Sequence, residues 1–214
     1  MILKAERTLL VPWEEKYAER LYELAKDERV GPVAGWPVHR DVENSREVIR
    51  NILSKEGTFA VVLRGGDIIG SAGNVQGGDI DNGKCNVPDE QIGGFEEDME
   101  IIGSAGIVFG EDSSLNLPMW QGEIGYWLGY DYWGQGLMTE IVRELIRFGF
   151  EDIGLNTIWC GYFEGNERSR RVQEKCGFTY HHTIKDMYWA LLDDYRTEHV
   201  MCVTKEEFET DEAH

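Results

Sequence analysis

Four shortages bound the reading of this chain of 214 residues. Long apolar runs are missing. Nothing in the sequence approaches the roughly 18 apolar residues that a bilayer span needs. Lys4, Glu6 and Arg7 interrupt the N-terminus where a signal peptide would carry its apolar stretch. Paired cysteines are missing too. Cys85, Cys160, Cys176 and Cys202 are spaced 75, 16 and 26 apart, so no Cys-x-x-Cys knuckle or redox motif exists. Reduced thiols in a cytoplasmic protein are the simplest reading. Glycine (25) and proline (5) are too few for a collagen or a low-complexity linker. Basic charge is short as well: 21 Lys and Arg stand against 40 Asp and Glu, for a net charge of −19. A field of that sign repels phosphate and anionic lipid, so neither nucleic acid nor a membrane is an expected partner. It attracts amines, polyamines and basic peptides. It also serves solubility, whatever the partner.

What is present is enough apolar material for one sizeable core. Hydrophobic residues are 42% and aromatics 11%, which excludes a disordered chain. Strands are predicted at 7–11, 58–63, 68–73, 101–106, 122–128, 157–163, 180–191 and 199–204, with a polar turn at 193–198. Helices are predicted at 14–28, 42–54, 137–150 and 166–176, and the breaker-rich segment 30–41 reads as a loop. Strands and helices alternate only in part, so the fold class is mixed α/β in a single domain, 1–214. Residues 74–99, rich in Gly, Asp, Glu and Asn, read as a flexible acidic insertion, and 209–214 as a disordered tail. Asp79, Asp81 and Glu90 are spaced loosely like a calcium loop. Lys84 stands where such a loop needs glycine, and no metal is expected.

The most informative stretch is 122–140, GEIGYWLGYDYWGQGLMTE. A strand runs through Gly134-x-Gly136 into an amphipathic helix. Glycine lets backbone approach a ligand closely, and the first helical N–H groups have no intrahelical acceptor. With the helix dipole they make an anion site, read here as a pyrophosphate cradle from Gly134, Gln135, Gly136, Leu137, Met138 and Thr139. The same spacing also occurs in ordinary turns. About 30 residues on, Asn166-x-x-Ser169 opens a helix with Arg168, Arg170 and Arg171. An arginine cluster in so acidic a chain suggests a phosphate partner, with Arg170 taken as a contact. A solvated helix face is the plainer alternative.

With these residues in view, the chain resembles the GNAT N-acetyltransferases, RimJ/RimL-like (ribosomal-protein-type) branch. The resemblance rests on Arg7–Trp13, Gly122–Leu128, Trp133–Glu140, Asn166-x-x-Ser169 and Glu174–Phe178. It implies a twisted sheet that splays after its fourth strand, with acetyl-CoA as co-substrate in the opening. It implies direct acetyl transfer to a primary amine of a cationic acceptor: a protein N-terminus, a polyamine or an aminoglycoside-like small molecule. Glu123 stands at the carboxylate position as base, acting through a water. A backbone N–H near Trp127 or Leu128 polarises the carbonyl. Asn166 and Ser169 face the cofactor, and Ser169 is the candidate for protonating the thiolate. Trp36 and His39, from the 30–40 loop, are candidates for the acceptor pocket. Gln173 stands where many relatives carry a tyrosine general acid, which leaves that role open. Cys160 and Cys176 read as packing residues. The alternative function is a non-catalytic CoA-binding sensor or interaction module. Monomer and homodimer are both compatible with the sequence.

Overall fold

The computed structural model describes residues 1–64 and 100–211. The hairpin turn at 64–67 beyond its first residue, the returning strand from Ile68, and the 74–99 insertion with its calcium-loop-like spacing lie outside the described residues. Among the described residues, eight strands form one sheet in the order β1-β2-β3-β4-β5-β6-β8-β7. They are β1 (Leu3–Lys4), β2 (Thr8–Pro12), β3 (Thr58–Leu63), β4 (Glu100–Phe109), β5 (Gln121–Leu128), β6 (Thr157–Phe163), β7 (Thr179–Trp189) and β8 (Asp194–Thr204). Every neighbouring pair is antiparallel except β5 and β6.

The helices are α1 (Ala18–Ala25), α2 (Gly31–Ala34), α3 (Val42–Val48), α4 (Leu137–Arg147), α5 (Glu167–Lys175) and α6 (Lys205–Asp211). In α4, Leu137, Met138, Ile141, Val142, Leu145 and Ile146 recur at spacings of three and four, and all are buried. Their burial supplies roughly 10 kcal/mol of gross hydrophobic free energy, most of it offset by chain entropy. They share one core with Ile107, Ile124, Ile158 and Met201 from the sheet. A second core on the opposite face joins Trp13, Leu21, Leu24 and Ile49 to Val62 and Ile101.

Several boundaries differ from the sequence expectation. The 14–28 helix is shorter, because a tight turn at Glu15–Tyr17 precedes α1. The 42–54 and 137–150 helices each finish in a widened turn, at Ile49–Leu53 and Phe148–Ile153. The 30–41 loop contains α2, which stops at Gly35 with φ of 94°. The expected turn at 193–198 is strand: β8 begins at Asp194, because Asp193 (φ 51°) already reverses the chain. The expected tail is helical to Asp211, since Phe208 packs its ring 5.3 Å from that of Phe150. No helix among the described residues is long and apolar enough to cross a membrane.

One feature of the sheet positions the site. β5 and β6 pair only over Gln121–Glu123 against Thr157–Trp159. Beyond that point β5 stays with β4 out to Leu128, while β6 stays with β8 out to Phe163. The two strands therefore diverge, leaving open edges whose backbone groups need partners. Side chains from the α4 and α5 side supply two of them. Trp133 Nε1 donates to Leu128 O (2.8 Å), and Gln173 Nε2 donates to Gly161 O (3.0 Å).

Candidate active site

A cavity of about 350 Å³ lies where β5 splays from β6 and meets the N-termini of α4 and α5. Its lining includes Tyr126, Trp127 and Leu128 from β5, Gly134, Gly136, Leu137, Met138 and Thr139 at the start of α4, and Asn166, Arg168, Ser169, Arg171 and Lys175 from α5. Gly134 and Gly136 have φ of 74° and 81°, in the left-handed region that disfavours a side chain. Space is not the constraint, because the nearest atom to a Cβ at Gly136 would be Arg7 Nη2 at 3.5 Å. The contorted turn leaves the N–H groups of residues 134–138 without an acceptor among the described residues, whereas Thr139 and Glu140 already donate to Gly136 O. Arg7 braces the turn from β2: its Nε donates to Glu140 Oε1 (2.8 Å) and its Nη2 to Gln135 O (2.8 Å). Gly136→Ala is expected to cost about 1 kcal/mol or more of stability, the strain of a Cβ in that conformation. Thermal unfolding checks the stability, and calorimetric titration with CoA checks the accompanying loss of affinity.

The residues expected at the cradle thus separate into two groups. Leu137 and Met138 bury their side chains in the core, so they offer only backbone. Gln135 does not line the cavity: its side chain folds back to Asp131 O (2.9 Å). Of the open-edge amides, Leu128 is in phase and Trp127 is not. Gly129 N donates to Ile102 O, and strand alternation then turns the Trp127 backbone toward β4 and the Leu128 backbone toward the splay.

The arginine cluster divides in the same way. Arg170 points away from the cavity and pairs with Glu174 (2.9 Å) and Glu167 (3.6 Å), its i+4 and i−3 neighbours. Arg168, Arg171 and Lys175 line the cavity, and among the described residues no carboxylate pairs with them. Arg168 stacks on Trp133 with its guanidinium 4.2 Å from the ring centre. Arg168→Ala is expected to weaken acetyl-CoA binding about fivefold, the scale of one exposed charge contact plus its stacking. The same change in Arg170 should leave affinity unaltered; titration calorimetry on both variants separates them.

α5 begins at Asn166, whose side chain accepts from Ser169 N (3.2 Å). That cap aims Ser169 at β5. Ser169 Oγ lies 2.9 Å from Tyr126 OH and accepts from Gln173 Nε2 at 3.1 Å. Gln173 is fully buried, and its Oε1 has no partner among the described residues. It therefore holds Ser169 and the β6 edge in place and is no proton donor to the cavity. Burial pushes the Tyr126 hydroxyl well above its ordinary value, so it stays protonated. Sequence reasoning missed Tyr126. Its only signal is strand alternation, which puts 126 on the same face as Ile124 and Leu128.

Glu123 is not free in the cavity. Ser113 Oγ (2.7 Å), Ser114 N (2.7 Å) and Ser114 Oγ (2.6 Å) all donate to its carboxylate, which anchors the loop after β4. Trp36 and His39 do not line the cavity either. His39 is buried against Ser45 Oγ (2.8 Å), and burial lowers its pKa, favouring the neutral ring. Trp36 packs edge-on against Trp127 at 5.3 Å, so it buttresses a cavity wall from behind. Cys160 is buried, and Cys176 Sγ contacts Thr139 O at 3.5 Å; burial raises both thiols, Cys176 to about 11. Neither is a thiolate near neutral pH. Among the described residues no group of three His, Cys, Asp or Glu side chains could hold a metal ion.

The sequence matches the family model of the acetyltransferase (GNAT) domain over residues 7–179. The chain belongs to the GNAT acetyltransferase family. YdaF of Bacillus subtilis (strain 168), provisionally named a ribosomal N-acetyltransferase, is 43% identical over 56 residues, 26% of this chain and 31% of YdaF. The match thus spans about a third of that curated relative's length. Among solved structures, a GNAT-family acetyltransferase from Bacillus anthracis superposes with a TM-score of 0.67 at 20% identity, covering 96% of this chain and 99% of that one. A ribosomal-protein-S5-alanine acetyltransferase from Vibrio fischeri superposes with a TM-score of 0.61 at 17% identity, covering 96% and 97%. These neighbours share the GNAT fold. GNAT domains use acetyl-CoA as co-substrate, and the residues present fit it. Among the described residues the N–H groups of 134–138 have no acceptor, and Arg168, Arg171 and Lys175, which no carboxylate pairs, line the same cavity.

Proposed function

We propose that this protein transfers the acetyl group of acetyl-CoA directly to a primary amine of a cationic acceptor. One observation carries the reading most: the open edge of β5 leads from the N–H cradle at α4 to a hydrogen-bonded hydroxyl pair, Ser169 and Tyr126, inside one cavity. Acetyl-CoA supplies an activated acyl group. The chain binds it by backbone amides and by Arg168, Arg171 and Lys175. The Leu128 N–H, directed into the splay, polarises the carbonyl. Ser169, backed by Tyr126, protonates the departing sulfur. Burial raises the thiols of Cys160, Cys176 and Cys202, so none of these three favours an acyl-cysteine route. Most of the acceleration comes from holding two substrates together.

The acceptor classes in view are a protein N-terminus, a polyamine and an aminoglycoside-like compound, each of which the net charge of −19 attracts. The test is thiol release from acetyl-CoA with a panel of N-terminal peptides, polyamines and aminoglycosides. Release with one class establishes the enzyme and names its acceptor. Saturable CoA binding without release for any class overturns the enzyme reading in favour of a CoA-binding module.

A further inference from the structure

Each wall of the splay carries a glycine on the face turned away from α4 and α5. On β5, Ile124, Tyr126 and Leu128 pack toward α4, so Glu123, Gly125 and Trp127 take the other face. On β6, Ile158, Cys160 and Tyr162 pack toward α4, so Trp159, Gly161 and Phe163 take the other face. A Cβ at Gly125 would meet nothing within 4 Å. A Cβ at Gly161 would lie 2.1 Å from Glu198 Oε1. Glycine at 161 thus makes room for a carboxylate brought over β6 from β8, where Glu198 pairs with Phe163.

Glu198 is 8% exposed, yet among the described residues it has no hydrogen bond or ion pair. Its carboxylate oxygens keep some contact with solvent, unlike Gln173 Oε1, so the group is largely buried yet reachable, and holding a charge there unpaired is costly. Its surroundings make the cost plain. Glu123 approaches from β5 and adds like charge. Cys160, from β6, has its thiol raised by burial. From β7, Ile184 stands opposite and His182 lies two pairs along, beside Val200. On β8 itself, His199 turns to Tyr162 and Thr183, while Arg196 is taken by Asp194 and Pro32 O. Among the described residues no cation pairs with Glu198, and burial with Glu123 pushes its carboxyl up to about 7.

Glu198 does not itself line the cavity; it is linked to it through the backbone of β6. Gly161, under Glu198, has its carbonyl held by Gln173, and Gln173 holds Ser169. Aromatic rings border the same face: Trp127 with Trp36 on one side, and on the other Phe163 with Trp189, where the Arg196 guanidinium already covers Phe163 at 4.7 Å from its ring centre. A carboxylate with the Trp127 side of the opening beside it suits an ammonium group.

We propose that Glu198 takes the proton from the acceptor amine, which enters between β5 and β6 on the face opposite α4 and α5. This rests on the acetyl-transfer reading above. The ammonium gives one proton to the Glu198 carboxylate. The freed lone pair forms the N–C bond at the thioester carbonyl, and the C–S bond breaks with its electron pair going to sulfur. Sulfur takes a proton from the Ser169–Tyr126 hydroxyls, which regain one as the nitrogen loses its second. Glu198 then returns its proton to solvent. The products are the amide, the free thiol and one proton. Glu123, committed to Ser113 and Ser114, is a positioning residue beside it.

Two measurements test this, one with turnover and one without. In the thiol-release assay, wild-type kcat/KM should rise with pH and level off above neutrality. Glu198→Gln should lower kcat/KM about 100-fold or more and flatten that rise, with CoA affinity unchanged. A Glu198→Gln protein with wild-type kcat/KM and the same rise overturns the proposal. Without turnover, infrared difference spectra follow the carboxylic-acid band that Glu198→Gln lacks. Methylammonium, as the probe amine, should shift that band's titration to lower pH relative to equal sodium chloride. An unshifted titration overturns the proposal. A shifted titration in a protein that releases no thiol with any amine removes the acetyl-transfer reading and leaves Glu198 as an amine-facing carboxylate.

Discussion

Ser169→Ala should lower kcat by about 100-fold while leaving affinity for acetyl-CoA within about threefold, the signature of lost proton transfer rather than lost binding. Ser169 is the hydroxyl at the centre of a short chain. Asn166 fixes its backbone, Gln173 donates to its oxygen, and Tyr126 meets it at 2.9 Å. With Gln173 in the position where many relatives carry tyrosine, these two are the hydroxyls bonded to each other in the cavity, while Tyr132 is held by Arg20 and Glu100. Tyr126→Phe should cost less than Ser169→Ala, because Ser169 keeps its own proton to give. The double variant should cost little more than Ser169→Ala alone, since the two act as one donor. The structural cost of Ser169→Ala is about 1 kcal/mol, because Gln173 Nε2 keeps Gly161 O as acceptor. Steady-state kinetics with titration calorimetry would decide. A rise in KM at constant kcat would make Ser169 a binding contact instead.

The second large effect concerns stability against pH. Glu198 has a folded-state pKa of about 7 against an ordinary 4.5. A carboxyl raised in this way holds its proton more tightly folded than unfolded. It therefore carries no penalty below the ordinary value. As pH rises from about 4.5 to about 7, the unfolded chain ionises first and stability falls. Above neutrality the loss is complete, at roughly 3 kcal/mol. Glu198→Gln removes the charge but keeps the shape. The variant should match wild type near pH 5 and unfold roughly 6–12 °C higher near pH 8. Equal melting temperatures at both pH values would mean that Glu198 is solvated in the folded state. A residue that destabilises the protein at working pH, while accelerating its reaction, is the usual trade-off at an active site.

Much of this site was legible in the chain because it is locally encoded. The turn at Gly134 and Gly136 announces itself by two glycines followed at once by the apolar stripe of α4. Both glycines adopt the positive φ that only glycine takes without strain. Asn166 capping α5 three residues before Ser169 is likewise a short-range signal. Element ends were less legible. The turn expected at 193–198 reads as polar because Asp194, Arg196 and Glu198 alternate with Tyr195, Thr197 and His199. In the structure that alternation belongs to a strand, with Asp194 and Arg196 bonded to each other. The arginine expected at the cofactor, Arg170, was indistinguishable in sequence from Arg168 and Arg171. Helical phase separates them: 168, 171 and 175 share one face, and 170 shares another with Glu167 and Glu174.

By itself, then, the sequence determined the mixed α/β class, the cradle at the start of α4, the cap at α5 and the family they resemble. Each depends on residues within a turn or two of one another. Only the tertiary structure decided which groups can move protons. Tyr126 meets Ser169 across 43 residues of sequence, because β5 diverges from β6 and lets α5 lean into the gap. Glu123, the carboxylate that the motif brought forward, is spent on Ser113 and Ser114. Glu198 reaches Gly161 through the β6–β8 register. Such contacts are fixed by strand order and register, which set which face and which neighbour a side chain meets. No local pattern of residues carries that information.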